Sequence, residues 1–231
     1  TEVERRALSD ATAAAGAREV YLIDEPMAAA VGANLPIEEP KGSMIVDIGG
    51  GTTEIAIISL GGVVVSKSLR VAGDEMDNDI VSYTRARYNL LLGERTAEEI
   101  KITHGSAYPV GKESKLQICG RDLATGLPAA ITASTGEIRE AVSNTIRTIV
   151  EGVKDTIEES PPELVNDIAE NGIYLSGGGA LLRGLPALLA KETRMPTIMV
   201  KDPLTNVVKG TARVLEEPVL YQKVKFAGSL R

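Results

Sequence analysis

Tryptophan is absent from this 231-residue chain, and phenylalanine, histidine and cysteine each occur once. A single histidine, His104, makes imidazole-based catalysis and a histidine-rich metal site poor expectations, and it reads as a polar surface residue. The lone Cys119 has no partner for an internal disulfide, which favours a reducing compartment, and it reads as a small buried residue. Basic excess is lacking too. Lys and Arg number 25 against 32 Asp and Glu, for a net charge of −7, which argues against a nucleic-acid partner. Tyr83 and Tyr88 fall on a helical stretch, where packing is a better expectation than base stacking. Apolar runs such as Met44–Ile48 and Ile55–Ile58 have strand length, so none reads as a membrane span, and no charged-then-apolar leader opens the chain.

What is present suits a sizeable core: 43% of the residues are hydrophobic, enough for one large domain or two smaller ones. The chain opens inside an apparent helix, Glu2 to Ala15, which reads as a fragment of something longer. A short strand is expected around Val20–Ile23, then a helix with Pro26 in its first turn, where the missing N–H costs nothing. Three strands follow (Met44–Ile48, Thr52–Ser59 and Val63–Ser68), joined by turns short enough for an antiparallel meander. Helices are expected over Asp74–Leu92 and over Ala97–Ile102, the second capped by Thr96. Strand fragments between Pro109 and Thr132 suggest a small β-containing insertion. Ser134 and Glu137 have the capping-box spacing, and one long helix is expected from there to Pro161-Pro162. A helix over 163–170, a buried strand Ile173–Ser176, a helix Leu181–Thr193, a strand Thr197–Val200 and a helix Thr205–Leu215 complete a mixed α/β pattern ending in a polar tail.

Two glycine-rich stretches carry the chemistry. Asp47-Ile48-Gly49-Gly50-Gly51-Thr52-Thr53-Glu54 lies between apolar strands. Its glycines remove the Cβ atoms that would block a phosphate, and their N–H groups can form an anion-binding concavity. Asp47 at the strand end suits a Mg²⁺ held through water, and Thr52 offers a hydroxyl to the same place. Read alone, the stretch fits a glycine hairpin turn equally well. Ser176-Gly177-Gly178-Gly179-Ala180 runs from a strand toward a helix and can hold part of a nucleotide, or be a tight turn and nothing more. Neither is followed by Gly-Lys-Ser/Thr, and Glu54 and Leu182 spoil Gly-x-Gly-x-x-Gly, so the Walker and dinucleotide readings fail. Glu25 precedes Pro26 at a strand–helix junction, where a carboxylate can orient a water, although an ordinary helix-start acid is the commoner case.

Together, in this order, the three features resemble the actin-like ATPase family, and the resemblance covers essentially the whole chain. Glu25-Pro26-Met27-Ala28-Ala29-Ala30, Asp47 to Leu60, Ser176 to Leu185 and Asp202-Pro203-Leu204-Thr205 look like the MreB group of bacterial actins. The related heat-shock chaperone ATPases share the first of these motifs but add a long substrate-binding region.

The resemblance implies an α/β fold of the actin-like ATPase kind, a ribonuclease H-like mixed sheet flanked by helices with a small inserted α+β subdomain. It implies a division into 1–39 as remnant of a first large subdomain and 40–75 with 143–206 as the second, nucleotide-binding one. Residues 76–142 would be the small insertion, and 207–231 a helix and tail returning to the first. It implies ATP and Mg²⁺ as ligands. Glu25 and Thr52 would be catalytic, placing the attacking water, and Asp47 would hold the metal through water. Gly49, Gly50, Gly51, Thr52, Thr53 and Glu54 would cradle phosphates, and Gly177, Gly178, Gly179 and Ala180 would meet the adenosine. Glu98 and Lys101 resemble a Glu-x-x-Lys that meets adenine and ribose, or form a plain helical ion pair, and Gly73 would add a backbone contact.

Head-to-tail self-assembly, membrane-bound cell-wall elongation proteins as partners, and a place at the inner face of the cell membrane are implied as well, as is determination of cell shape. A monomeric or chaperone-like ATPase of the same superfamily is the alternative. The family's first phosphate loop has no counterpart in this sequence, and membrane attachment in the family maps to that same N-terminal region. Poor ATP hydrolysis by this stretch alone is therefore expected.

Overall fold

The computed structural model describes residues 2–224. In chain order the elements are α1 (Glu2–Ala14), α2 (Glu25–Gly32), β1 (Ser43–Ile48), β2 (Thr53–Ser59), β3 (Gly62–Leu69), α3 (Gly73–Tyr88), β4 (Leu90–Leu91), α4 (Glu94–His104), β5 (Lys115–Asp122) and β6 (Pro128–Ser134). They continue with α5 (Thr135–Ala141), α6 (Ser143–Glu158), α7 (Pro162–Asn171), β7 (Ile173–Ser176), α8 (Leu185–Thr193), β8 (Thr197–Met199), α9 (Asn206–Glu216) and α10 (Pro218–Val224).

Five strands form one mixed sheet in the order β3-β2-β1-β7-β8. The meander β1–β2–β3 is antiparallel, whereas β1 pairs with β7, and β7 with β8, in parallel. All six residues of β1 are buried, as a strand covered on both faces requires. One face carries Met44, Val46, Ile55 and Ile57 into a cluster with α3 and α6, and the other carries Ile45, Ala56 and Ile58 into a cluster with α2, α9 and α10. The strands' period of two divides these residues between the faces. A second, three-stranded antiparallel sheet, β4-β5-β6, stands apart from the first. Helix α2 is alanine-rich so that α9 can approach it closely: a Cβ added at Gly210 would come within 1.8 Å of Ala28 O. No helix among the described residues is long and apolar enough to cross a membrane.

Several expected boundaries shift. Val20–Ile23 is not a strand, because no described strand lies beside it to satisfy its backbone. Helix α3 stops at Tyr88, where Asn89 adopts the left-handed conformation, and Leu90–Leu91 pairs with β5 instead of extending the helix. Gly93, not Thr96, caps α4. The Ser134–Glu137 capping box is present with both reciprocal bonds. The long helix behind it is two, however, because Val142 at ψ 1° leaves the helical well while Ile138, Val142 and Ile146 all stay buried. Helix α8 begins at Leu185, since Gly178–Leu181 forms a single 3-10 turn and Leu182 is extended. The expected tail holds α10 up to Val224, and its remainder lies outside the described residues.

Cys119 is exposed. Strand β5 sends Leu116 and Ile118 inward, so period two turns Cys119 out. Tyr83 and Tyr88 are half-buried on α3 and donate their hydroxyl protons to Glu140 and Glu137.

Candidate functional site

The parallel pairing of β1 with β7 decides where the chemistry sits. Asp47 is the register partner of Ser176, so the glycine turns that follow, 49–51 and 177–179, leave the same edge of the sheet side by side. Open α/β sheets place ligand sites outside the carboxyl ends of parallel strands for this reason. The Gly49 N–H donates to Thr52 O and closes the first turn on itself. Gly73 N–H donates to Gly49 O, and Asp74 N–H to Gly50 O, so the start of α3 is sewn to that turn.

A cavity of about 440 Å³ opens between these turns. Gly49, Gly50, Gly178 and Gly179 form its floor, Gly73, Asp74 and Met76 one wall, and Glu98, Lys101 and Ile102 of α4 another. Leu181, Leu182 and Leu204 complete it. Ile102 is 68% exposed and Leu204 74%, and both aliphatic side chains line the cavity. Glycine turns and aliphatic side chains in one lining suit a ligand that carries both an anionic and an apolar part. The glycines, Glu98 and Lys101 are legible in the sequence, but the aliphatic walls are not. Ile102 and Leu204 lie about a hundred residues apart with no local pattern linking them.

Asp47 lies just outside the floor, 4% exposed. Burial raises its pKa first, a hydrogen bond from Ser176 opposes this, and the Glu54 charge adds to it. Its Oδ2 has no partner among the described residues. A buried, unpaired carboxylate oxygen at the lip of a glycine turn suits a hard cation or its water. Glu25 sits at the open start of α2, its pKa raised by partial desolvation first and then by the Asp47 and Glu54 charges. The Asp47 and Glu54 charges act on Glu25, and that of Glu54 acts on Asp47, so this end of the sheet is electronegative. No group of three or more metal-binding side chains is clustered among the described residues.

The remaining expected positions divide. Thr52 is exposed on the turn. Thr53 is fully buried and its hydroxyl donates to Val71 O, while the Glu54 carboxylate accepts from Ser68, so both side chains are committed elsewhere. The Gly177 N–H donates to Pro203 O, and Ala180 N–H to Gly177 O, which makes these two builders of the second turn. Lys101 Nζ donates to Asp77 and to Gly73 O, and Glu98 lies one turn earlier on the same helix, so the two do not pair with each other.

A family model described as MreB/Mbl protein matches residues 1–223. The chain belongs to the MreB/Mbl family. It is 52% identical over 216 residues to the cell shape-determining protein MreB of Escherichia coli K12, an alignment covering 94% of this chain and 62% of the relative. The chain thus spans about 62% of the length of that curated relative. The crystal structure of Spiroplasma citri MreB5 bound to ADP superposes with a TM-score of 0.91 at 41% identity, over 96% of this chain and 67% of that one. A MamK double helical filament matches with a TM-score of 0.70 at 25% identity, over 84% of this chain and 59% of that one. The fold is actin-like.

Proposed function

We propose that the cleft binds ATP with Mg²⁺, as part of an ATP-dependent actin-like filament protein that determines bacterial cell shape. The observation that carries this reading is the pairing of two glycine turns at one sheet edge, with an unpaired Asp47 carboxylate oxygen beside them. The MreB5 structure that superposes on this chain holds ADP, which supports a nucleotide in the same cleft.

In this reading the Gly50–Thr52 backbone faces the phosphates, and Gly178 and Gly179 allow close approach of the adenosine. Ile102, Leu181 and Leu204 cover the base, with Glu98 and Lys101 toward the ribose. A magnesium ion would neutralise phosphate charge, held by Asp47 through water. Glu25, whose raised pKa reflects desolvation and its acidic neighbours, would orient the attacking water with Thr52. These groups come from β1, α2, α4 and the turns at 49–52, 178–181 and 203–205, and α2, which carries Glu25 at its start, packs closely against α9.

Self-association head to tail, without ring closure, follows the MamK filament relative. Organisation of cell-wall synthesis at the inner membrane, with membrane-bound elongation proteins, follows the cell-shape role of the E. coli relative. The division into a nucleotide-binding subdomain (40–75 and 143–206) and a small insertion (76–142) agrees with the two separate sheets.

The test is nucleotide-dependent sedimentation of the full gene product beside Glu25→Ala. The expected result is that ATP and magnesium drive both into the pellet, with the mutant filaments persisting longer. If neither sediments at any ATP or magnesium concentration, the filament reading fails and a monomeric ATPase takes its place.

A further inference from the structure

Lys101 spends two of its three N–H groups inside the protein. Its Nζ lies 2.8 Å from Asp77 Oδ2 and 2.9 Å from Gly73 O, and the two side chains are only 15% and 14% exposed. Asp77 is on the second turn of α3 and Lys101 on the last turn of α4, so the pair bridges the two helices that wall the cavity. It also bridges to the floor, because Gly73 passes its own N–H to Gly49 O.

Joining two helices does not by itself require this pair. An apolar contact of the same volume would hold α3 against α4 without the cost of desolvating two charges. That cost is visible: burial raises the Asp77 pKa even though Lys101 acts to lower it, and the Glu98 and Asp74 charges add to the rise. Asp77 Oδ1 is buried with no partner among the described residues. What the charged pair supplies, and an apolar one would not, is a fixed ammonium at the cavity wall with one donor left over.

We propose that Asp77 is a positioning residue for nucleotide binding, holding the Lys101 ammonium in one orientation between the ribose end of the cavity and the Gly73 carbonyl. This rests on the nucleotide reading of the cleft. Without Asp77, the lysine's flexible four-carbon stem is free to swing to the nearby Glu98 or Asp74 carboxylates. The cavity then loses its fixed donor, and the Gly73–Gly49 link to the phosphate turn loses its anchor.

The test is a double-mutant cycle read by calorimetric titration of ADP, with magnesium, into the full gene product. Asp77→Asn is expected to raise the Kd about tenfold, equivalent to about 1.4 kcal/mol. Lys101→Met is expected to raise it by a similar factor. Asp77→Asn placed on top of Lys101→Met should then change the Kd by less than twofold, since Asp77 acts through the lysine. A purely structural Asp77 would lower Tm and leave the ADP Kd within twofold, and that result overturns the proposal. So does full additivity of the two substitutions. Asp77→Ser, which also removes the charge, replaces Asp77→Asn in the cycle if the latter does not fold, and the same outcomes decide. If the wild-type protein binds no ADP, the nucleotide reading itself falls and this inference with it. Normal wild-type binding with an unaffected Asp77→Asn removes this inference alone.

Discussion

Asp47 and Ser176 stand opposite each other on the neighbouring parallel strands β1 and β7, and Ser176 hydrogen-bonds the Asp47 carboxylate. Ser176 Oγ in turn accepts from the side-chain amide of Asn206, whose Nδ2 also donates to Ala29 O on α2. A continuous polar thread therefore runs through the buried middle of the sheet. It joins the candidate metal carboxylate to the helix that carries Glu25 and to the start of α9. Each member is buried, so each bond counts for more than it would in water.

Gly177→Ala tests how tightly the two glycine turns are locked together. Gly177 has φ +82°, and a Cβ there would stand 2.2 Å from Ile48 O and 2.7 Å from Asp47 Oδ1. The conflict is with backbone and with a buried carboxylate, so relaxing it means parting β1 from β7. The expected loss is about 3 kcal/mol or more in urea unfolding. Gly178→Ala is the control, because its Cβ would meet only the flexible end of Leu204 at 3.1 Å. It should cost less than about 1 kcal/mol. Equal losses from the two would show that the turns are not interlocked.

Asp47→Asn should stabilise the protein in the absence of ligand and abolish its magnesium dependence. A carboxyl whose folded pKa is raised keeps its proton in the folded state after the unfolded chain has lost it. Stability therefore declines as pH climbs from the ordinary value of 3.8 through the folded pKa, and the penalty persists above it. The amide lacks that penalty. Its advantage, on the order of 1 kcal/mol or ~2–4 °C in Tm, is expected at pH 7 and should vanish below the ordinary aspartate value. Adding magnesium to the ADP complex should raise the Tm of the wild type further but not that of the variant. A variant less stable than wild type at pH 7 would show that the Ser176 bond outweighs burial.

The chain's local signals are enough to read the meander, the Ser134–Glu137 cap, the buried strand Ile173–Ser176 and both glycine turns, because each rests on an apolar run, a cap spacing or a turn only a few residues long. What they do not encode is pairing at a distance. The parallel register of Asp47 with Ser176 spans more than a hundred residues, and it turns two ambiguous glycine stretches into one site. Val20–Ile23 shows the converse, since its strand-like composition comes to nothing without a neighbouring strand. Cys119 is exposed although its residue type favours burial, because the alternation of β5, set by Leu116 and Ile118, decides its side. Asp77 and Asn206 gave no signal at all. An acid on a helix face and an amide at a helix start are ordinary in sequence, and only the fold shows them buried and bonded.

Asn206→Ala separates the structural share of the polar thread from its functional share. The substitution removes two donated bonds at once, 2.7 Å to Ala29 O and 3.0 Å to Ser176 Oγ, in a position 3% exposed. Ala29 O keeps a bond from the Ala33 N–H at the end of α2, so it is not left wholly unpaired. Ser176 keeps its bond to Asp47. The cost is then that of a lost buried amide and a small cavity, roughly 1–3 kcal/mol in urea unfolding. The aliphatic contacts between α2 and α9 remain, as does the close approach at Gly210, so the helix pair should stay docked. Activity should suffer beyond the stability loss, because Ser176 and α2 are no longer tied together. ATP turnover of the full gene product, measured well below the variant's melting temperature, is expected to fall at least fivefold with the ADP Kd changed by less than twofold. Unchanged turnover in a destabilised variant would confine Asn206 to holding α9 in place and detach Glu25 from the thread.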